Sequence, residues 1–253
     1  MPLFRCNSQI HYFAHVPKCG GQSVEAYLDK RFGPLAFINN EFLKIGENKR
    51  WTKSSPQHVD AEALARLFPE GWITSSFAVV RHPITRVISA YNFGSMRRVS
   101  GIPPRTSIES WYKSYLKGKD ENPFLFDNHL RPQCEMVPEG AKIFKLEDGL
   151  QGLVEYLDHL AGDENGPREI EHVNAYTHGT TEYTRTVPVT EKFKSLVNEF
   201  YEKDLERFGY KPDPVLDPDH GPLCYQMPLG RLSFTALCKK TKRRLSKSYV
   251  QKD

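Results

Sequence analysis

Two short segments carry residues whose types and spacing could hold phosphate. The first is Pro17-Lys18-Cys19-Gly20-Gly21-Gln22-Ser23. Adjacent glycines let the backbone turn tightly and aim several N–H groups at one point, and a helix opening directly after them adds its positive dipole end. Lys18 supplies a full charge and Ser23 a hydroxyl. A glycine turn with a solvated lysine is the plainer reading of a lone Gly-Gly pair; a strand before it and a helix after it favour the anion site. The order is not that of a Walker loop, where Lys follows the glycines and the next Ser or Thr meets magnesium. Lys18 precedes Gly20 and Gly21, and no residue set makes a case for a metal. The second segment, Phe77-Ala78-Val79-Val80-Arg81-His82-Pro83, runs on to Ser89-Ala90-Tyr91. Arg81 stands where the apolar run ends, and Ser89 lies two turns into the following helix. A guanidinium fork with a hydroxyl suits a phosphate monoester dianion. Taken alone, an arginine paired with a surface carboxylate is an equal reading.

These residues need elements to hold them. Residues 10–16 form a short apolar, aromatic run followed by Pro and two Gly, which predicts a buried strand ending in a loop. Residues 23–32 follow as a helix. Ala61, Leu64, Ala65 and Phe68 share one face of a second helix over 60–68, with Asp60 as its cap. Residues 77–80 read as a strand, and Pro83 suits the first turn of a helix running to about Phe93. Further helices are expected over 107–116, along the stripe Leu150, Leu153, Val154, Leu157 and Leu160, and over 190–208. Thr190 caps the last of these and Gly209 ends it. Residues 142–146 make a further strand. Short buried strands alternating with helices predict an α/β fold of three layers, a central parallel sheet flanked by helices, with ligands at the carboxyl ends of the strands.

The bulk properties set limits. A chain of 253 residues with 39% hydrophobic and 12% aromatic residues has ample core material for one large domain. The net charge of +4 is unevenly placed: residues 239–253 carry seven Lys or Arg against one Asp, and the remainder is near neutral. This predicts a domain over 1–215 and a Pro-containing, then basic, extension over 216–253. Leu237, Leu245, Tyr249 and Val250 give that extension some apolar content, enough for a peripheral contact with an anionic membrane, although a solvated end is the simpler reading. Scattered Lys and Arg do not specify nucleic acid. The cysteines Cys6, Cys19, Cys134, Cys224 and Cys238 are odd in number and form no CxxC pair, against a disulfide framework or zinc ribbon. His11 and His15 fall on one face of a strand, but no further metal ligands suggest themselves. No apolar run approaches a membrane span and no signal core opens the chain, so a cytoplasmic protein is expected.

Taken together, the two segments resemble the nucleotide-binding signatures of the PAPS-dependent sulfotransferases. The resemblance is nearest to the glycan O-sulfotransferase branch, which includes the heparan 2-O-sulfotransferases and their bacterial relatives. There the first loop reads Pro-Lys-Thr-Gly-Gly-Thr-Ser, and the second reads Arg-(His/Asp)-Pro with Ser-x-Tyr downstream. The likeness continues through Asp127-Asn128-His129-Leu130-Arg131-Pro132-Gln133, Lys145-Leu146-Glu147-Asp148, Asn174, and Tyr201 to Asp204 and on to Tyr210. It implies that Lys18, Cys19, Gly20, Gly21, Gln22 and Ser23 surround the donor's 5′-phosphosulfate, and that Arg81 and Ser89 hold its 3′-phosphate. Gln22 and Cys19 depart from the family's two Thr. Gln22 forfeits a hydroxyl contact; at Cys19 the backbone matters more, and the thiol reads as a small loop residue.

Sulfuryl transfer of this kind needs a base for the acceptor hydroxyl and positive charge at the leaving phosphate. Lys18 suits the second role. His58, in the interval between the segments and just before a helix, suits the first, and the family has a catalytic histidine in a similar place. It ranks ahead of His82, His129 and Glu147; without the two segments it would read as an ordinary loop histidine. His129 and Arg131 are candidates for the acceptor site, where an arginine would suit an anionic glycan. The expected cofactor is PAPS, leaving as PAP, with no metal required; the resemblance favours an acceptor hydroxyl on a carbohydrate, and a polysaccharide, a lipid-linked sugar, a small alcohol and a tyrosine all stay open. A P-loop-type kinase or nucleotide hydrolase, and a non-catalytic nucleotide- or glycan-binding relative, are the rival readings.

Overall fold

In the computed structural model, residues 1–97, 102, 106–171 and 189–213 are described. Four strands, β1 (Leu3–Cys6), β2 (Gln9–Ala14), β3 (Ser75–Val80) and β4 (Lys142–Lys145), form one sheet in the order β1-β2-β3-β4. β2, β3 and β4 run parallel, with Phe13 opposite Phe77 and Val79 opposite Phe144. β1 is antiparallel to β2, so the sheet is mixed rather than wholly parallel. The expected first strand at 10–16 is therefore the second. Asn7 and Ser8 both take left-handed φ values, of 50° and 63°, which is the backbone of a two-residue hairpin turn. Neither the turn nor the four-residue β1 carries the usual Asn-Gly signal.

Phe77, Ala78, Val79 and Val80 are all buried. Since neighbours along a strand point to opposite faces, both faces of β3 are covered. On one face Phe13 stacks on Phe77, and Tyr156 packs against Phe77 and Phe144.

The helices are α1 (Gly21–Phe32), α2 (Ala61–Leu67), α3 (Pro83–Arg97), α4 (Ile108–Gly118), α5 (Gln133–Met136), α6 (Gln151–Ala161), α7 (Glu191–Phe200) and α8 (Glu202–Phe208). Asp60 caps α2 by accepting the Ala63 N–H at 2.9 Å, and Thr190 caps α7 by accepting that of Phe193 at 3.1 Å. The single helix expected over 190–208 is broken at Tyr201, whose backbone leaves the helical region at ψ 25°. The break buries Tyr201, whose hydroxyl donates to the Leu130 carbonyl at 2.6 Å. It also turns Asp204 inward, where its carboxylate accepts the N–H groups of Gln133 and Cys134 and so caps α5. Tertiary bonding outweighs an unbroken apolar stripe here.

Two apolar clusters result. One joins the sheet to α1 and α6; the other joins α3, α4 and α7 through Ile84, Ile88, Trp111, Tyr112, Phe193 and Val197. Cys6, Cys19 and Cys134 are free thiols. Among the described residues, no helix is long and apolar enough to cross a membrane. Asn174, Cys224, Cys238 and the basic extension lie outside the described residues.

Candidate active site

Because β2, β3 and β4 are parallel, the loops after them emerge along one edge of the sheet. The first carries Lys18 to Gly20, the second Arg81 and His82, the third Glu147. Lys18 and Gly20 both take left-handed φ, 70° and 78°, so the loop doubles back before α1 opens. Gly20 occupies the N-cap position and gives α1 no side-chain cap. Its carbonyl accepts the N–H groups of Ser23 and Val24 at 3.0 and 3.2 Å. Gly21 must be glycine for a different reason: a Cβ there would stand 2.0 Å from His15 Nε2. Gln22 is exposed and Ser23 is buried.

Arg81 joins the two segments. Its guanidinium donates to the Lys18 carbonyl at 3.4 Å and to the Thr85 hydroxyl at 3.0 Å. Ser89 lies one helical turn beyond Thr85 on α3, so the Arg81 guanidinium, bonded to Thr85, lies toward the side of α3 that carries Ser89. Gln133 is a second link, and it is wholly buried. Its side-chain oxygen accepts from the Arg81 N–H at 3.0 Å and the Cys19 thiol at 3.4 Å, while its Nε2 donates to the Arg81 carbonyl at 2.8 Å. Arg86, also wholly buried, donates to the carbonyls of Pro17, His129 and Arg131. It therefore ties the first loop to the 129–131 segment and places a positive charge behind both. Burial pushes the Cys19 thiol up to about 12, so it stays protonated and is no nucleophile at neutral pH.

His58 closes a one-turn helix at Pro56–His58 and is buried. Its Nδ1 lies 2.9 Å from Asp127 Oδ2 and 2.9 Å from Ser55 Oγ. His15 and His129 pack edge-on against its ring, with centroids at 4.9 and 5.1 Å. His129 in turn stacks on Phe93, and Lys18 Nζ sits 3.9 Å from the Phe93 ring centre. A continuous line of contacts thus runs from Lys18 through Phe93 and His129 to His58. Burial, then the neighbouring His58, lowers His129 to about 3. Burial also lowers His15, against an opposing hydrogen bond from Nδ1 to Glu25 at 2.5 Å. Burial would raise Asp127, but the His58 hydrogen bond and the surrounding donors hold it well below the usual carboxylate range.

The other candidates fall elsewhere. His82 shapes its own turn: Nδ1 accepts the Ile84 N–H and Nε2 donates to the Lys211 carbonyl. Glu147 accepts from the His82 N–H at 2.8 Å and the Tyr210 hydroxyl at 2.9 Å, which fastens the end of α8 to the second loop. Arg131 is engaged by Asp60 at 3.0 Å and Glu135 at 2.8 Å. His11 bonds Ser75 Oγ and is not part of the His15 cluster, so the two do not form a metal pair. The ligand atoms of His58, Asp127 and His129 lie within 4.8 Å of one another, close enough to share a cation. His58 Nδ1 is already hydrogen-bonded to Asp127 Oδ2, and we assign no metal there. A cleft of about 430 Å3 lined by Lys145, Asp148, Arg207 and Phe208 borders β4 and includes neither loop's charged residues.

Asp127, Ser55, Gln133, Arg86 and Phe93 were given no role from the sequence. Arg86 and Phe93 fell within the helix expected after Pro83, and Asp127 and Gln133 within the 127–133 segment, but no local spacing relates any of them to its partner.

The arrangement is that of an α/β protein with a glycine-bearing loop after β2, an arginine-bearing loop after β3 and a buried histidine in the segment between them. A sequence profile described as the sulfotransferase family matches residues 4–211, and the chain belongs to that family. No curated protein and no solved structure gives a match.

Proposed function

We propose that the protein transfers a sulfuryl group from PAPS to an acceptor hydroxyl by in-line displacement. The observation that carries this is the joining of the two loops: Arg81 bonds the Lys18 carbonyl, while the rings of Phe93 and His129 link the same lysine to His58. One bound nucleotide can then meet Lys18 and the uncapped start of α1 at its phosphosulfate end, and Arg81 and Ser89 at its 3′-phosphate end. The strand–loop–helix of residues 9–32 supports a P-loop-like placement of the phosphosulfate. Lys18 and the loop amides stabilise charge on the leaving phosphate, Arg86 adds field from behind, and His58 takes the acceptor's proton.

A carbohydrate is the acceptor that the resemblance of the two loops to the glycan O-sulfotransferase branch favours. Arg131 serves it less directly than the sequence suggests, because Asp60 and Glu135 already hold its guanidinium. The kinase reading loses ground at the first loop, where Lys18 precedes Gly20 and Gly21 instead of following them as in a Walker loop.

The test is His58→Ala, followed by conversion of PAPS to PAP. We expect turnover to fall roughly 10²–10⁴-fold with PAP affinity unchanged, the usual range for a lost general base. A wild-type rate removes His58 from the chemistry; loss of PAP binding as well would mean that it holds the donor.

A further inference from the structure

We propose that Asp127 is the positioning residue for His58, fixing the ring with its proton on Nδ1 and leaving the Nε2 lone pair as the base. The proposal rests on the sulfotransferase reading above and extends it to a residue about seventy positions away.

The donors and acceptors determine the tautomer. Asp127 receives the Ser55 N–H on Oδ1 at 2.6 Å and the Ser55 hydroxyl on Oδ2 at 2.7 Å. An ionised carboxylate only accepts, and Asp127 stays ionised among these donors. Ser55 has a single hydroxyl proton and spends it on Asp127, so the Ser55 oxygen faces His58 Nδ1 as a second acceptor at 2.9 Å. A lone pair on Nδ1 would face two acceptors across 2.9 Å; a proton there bonds both.

The backbone is arranged to the same end. Phe126, Asp127 and Asn128 are consecutive left-handed residues, with φ of 57°, 55° and 61°. L-residues visit this region singly, so a run of three persists only when its surroundings impose it. The run presents Asp127 to the His58 ring while Asn128 Nδ2 donates to the His58 carbonyl at 2.8 Å. Ring and main chain are thus held from one turn, and the edges of His15 and His129 restrict rotation.

A merely structural tie between the two loops would use the same bonds, so the test must read the ring itself. In Asp127→Asn the Ser55 N–H keeps the amide oxygen at the Oδ1 position. The amide NH2 then faces Nδ1, which must become an acceptor, and the proton moves to Nε2. Long-range proton–nitrogen NMR on the full chain, labelled at histidine nitrogen and saturated with PAP in alkaline buffer, distinguishes the two forms; His58→Gln assigns the signal. We expect Nδ1–H in the wild type and Nε2–H in Asp127→Asn.

In parallel, PAPS breakdown is followed with water as acceptor: the water oxygen bonds sulfur, the phosphate oxygen leaves with the electron pair, and His58 takes the proton. Asp127→Asn should lose roughly 10²–10⁴-fold in kcat with KM for PAPS unchanged, the scale of a base held in the wrong tautomer. Nε2–H in the wild type overturns the proposal even where Asp127→Asn fails to fold. An unchanged tautomer and rate in a folded Asp127→Asn also overturns it. A wild-type rate in His58→Ala instead refutes the base assignment, whatever the tautomer.

Discussion

Cys19 sits in the loop after β2 with its thiol turned inward, against the Pro17 carbonyl and Gln133. The proposed anion site draws on the loop's backbone and on Lys18, so the departures at Cys19 and Gln22 from the family's two Thr would leave it its amides and its charge. With its pKa pushed up by burial, Cys19 should resist iodoacetamide in the folded protein while reacting once unfolded. Peptide mass spectrometry checks this, and rapid alkylation of Cys19 in the folded chain would contradict it. At this scale the sequence singled out Lys18, Gly20, Gly21 and Arg81, but paired Arg81 with Ser89 and passed over Thr85, which accepts from its guanidinium. It was silent on Asp127 with His58 and on Gln133 with Arg81, because those pairs are made by the sheet bringing distant loops together.

At the scale of elements, α1 depends on what lies under its first turn. His15 Nε2 occupies the space a Cβ at position 21 would need, and His15 is held there by Glu25 from α1 itself. Gly21→Ala must therefore move either the helix or the histidine. We expect a loss of about 1–3 kcal/mol in chemical denaturation, as for other overpacked sites, together with weakened PAP binding. Wild-type stability would contradict this packing. The helices were legible because their apolar stripes and caps are local: Asp60 and Thr190 cap where expected. The break at Tyr201 was not, since its cause is Leu130 and α5, far away in sequence. β1 escaped notice because four residues and an Asn-Ser turn carry little pattern.

For the whole molecule, buried neutral histidines set the response to acid. His11, His15, His82 and His129 are all lowered, each chiefly by burial. Unfolded, they bind protons as pH falls through about 6.5. Folded, they bind them only at lower pH, about 3 for His129. The unfolded chain then holds more protons in that window, so stability rises with pH there and is lost on acidification. We expect the melting temperature to fall steadily from about pH 6.5 downward, and His129→Asn to flatten the slope while keeping a donor for the Phe126 carbonyl. A melting temperature independent of pH across that range would contradict the burial of these rings.

The two loops meet through Arg81 and the Lys18 carbonyl, and PAP is the most direct probe of the nucleotide site proposed there. Thermal unfolding should be compared with PAP, with ATP and magnesium, and without ligand. At a hundred times its dissociation constant PAP should add about 2.7 kcal/mol. For a chain of this length that raises the midpoint by roughly 5–11 °C, and Arg81→Ala should reduce the effect. Stabilisation by ATP and magnesium but not by PAP would contradict the account.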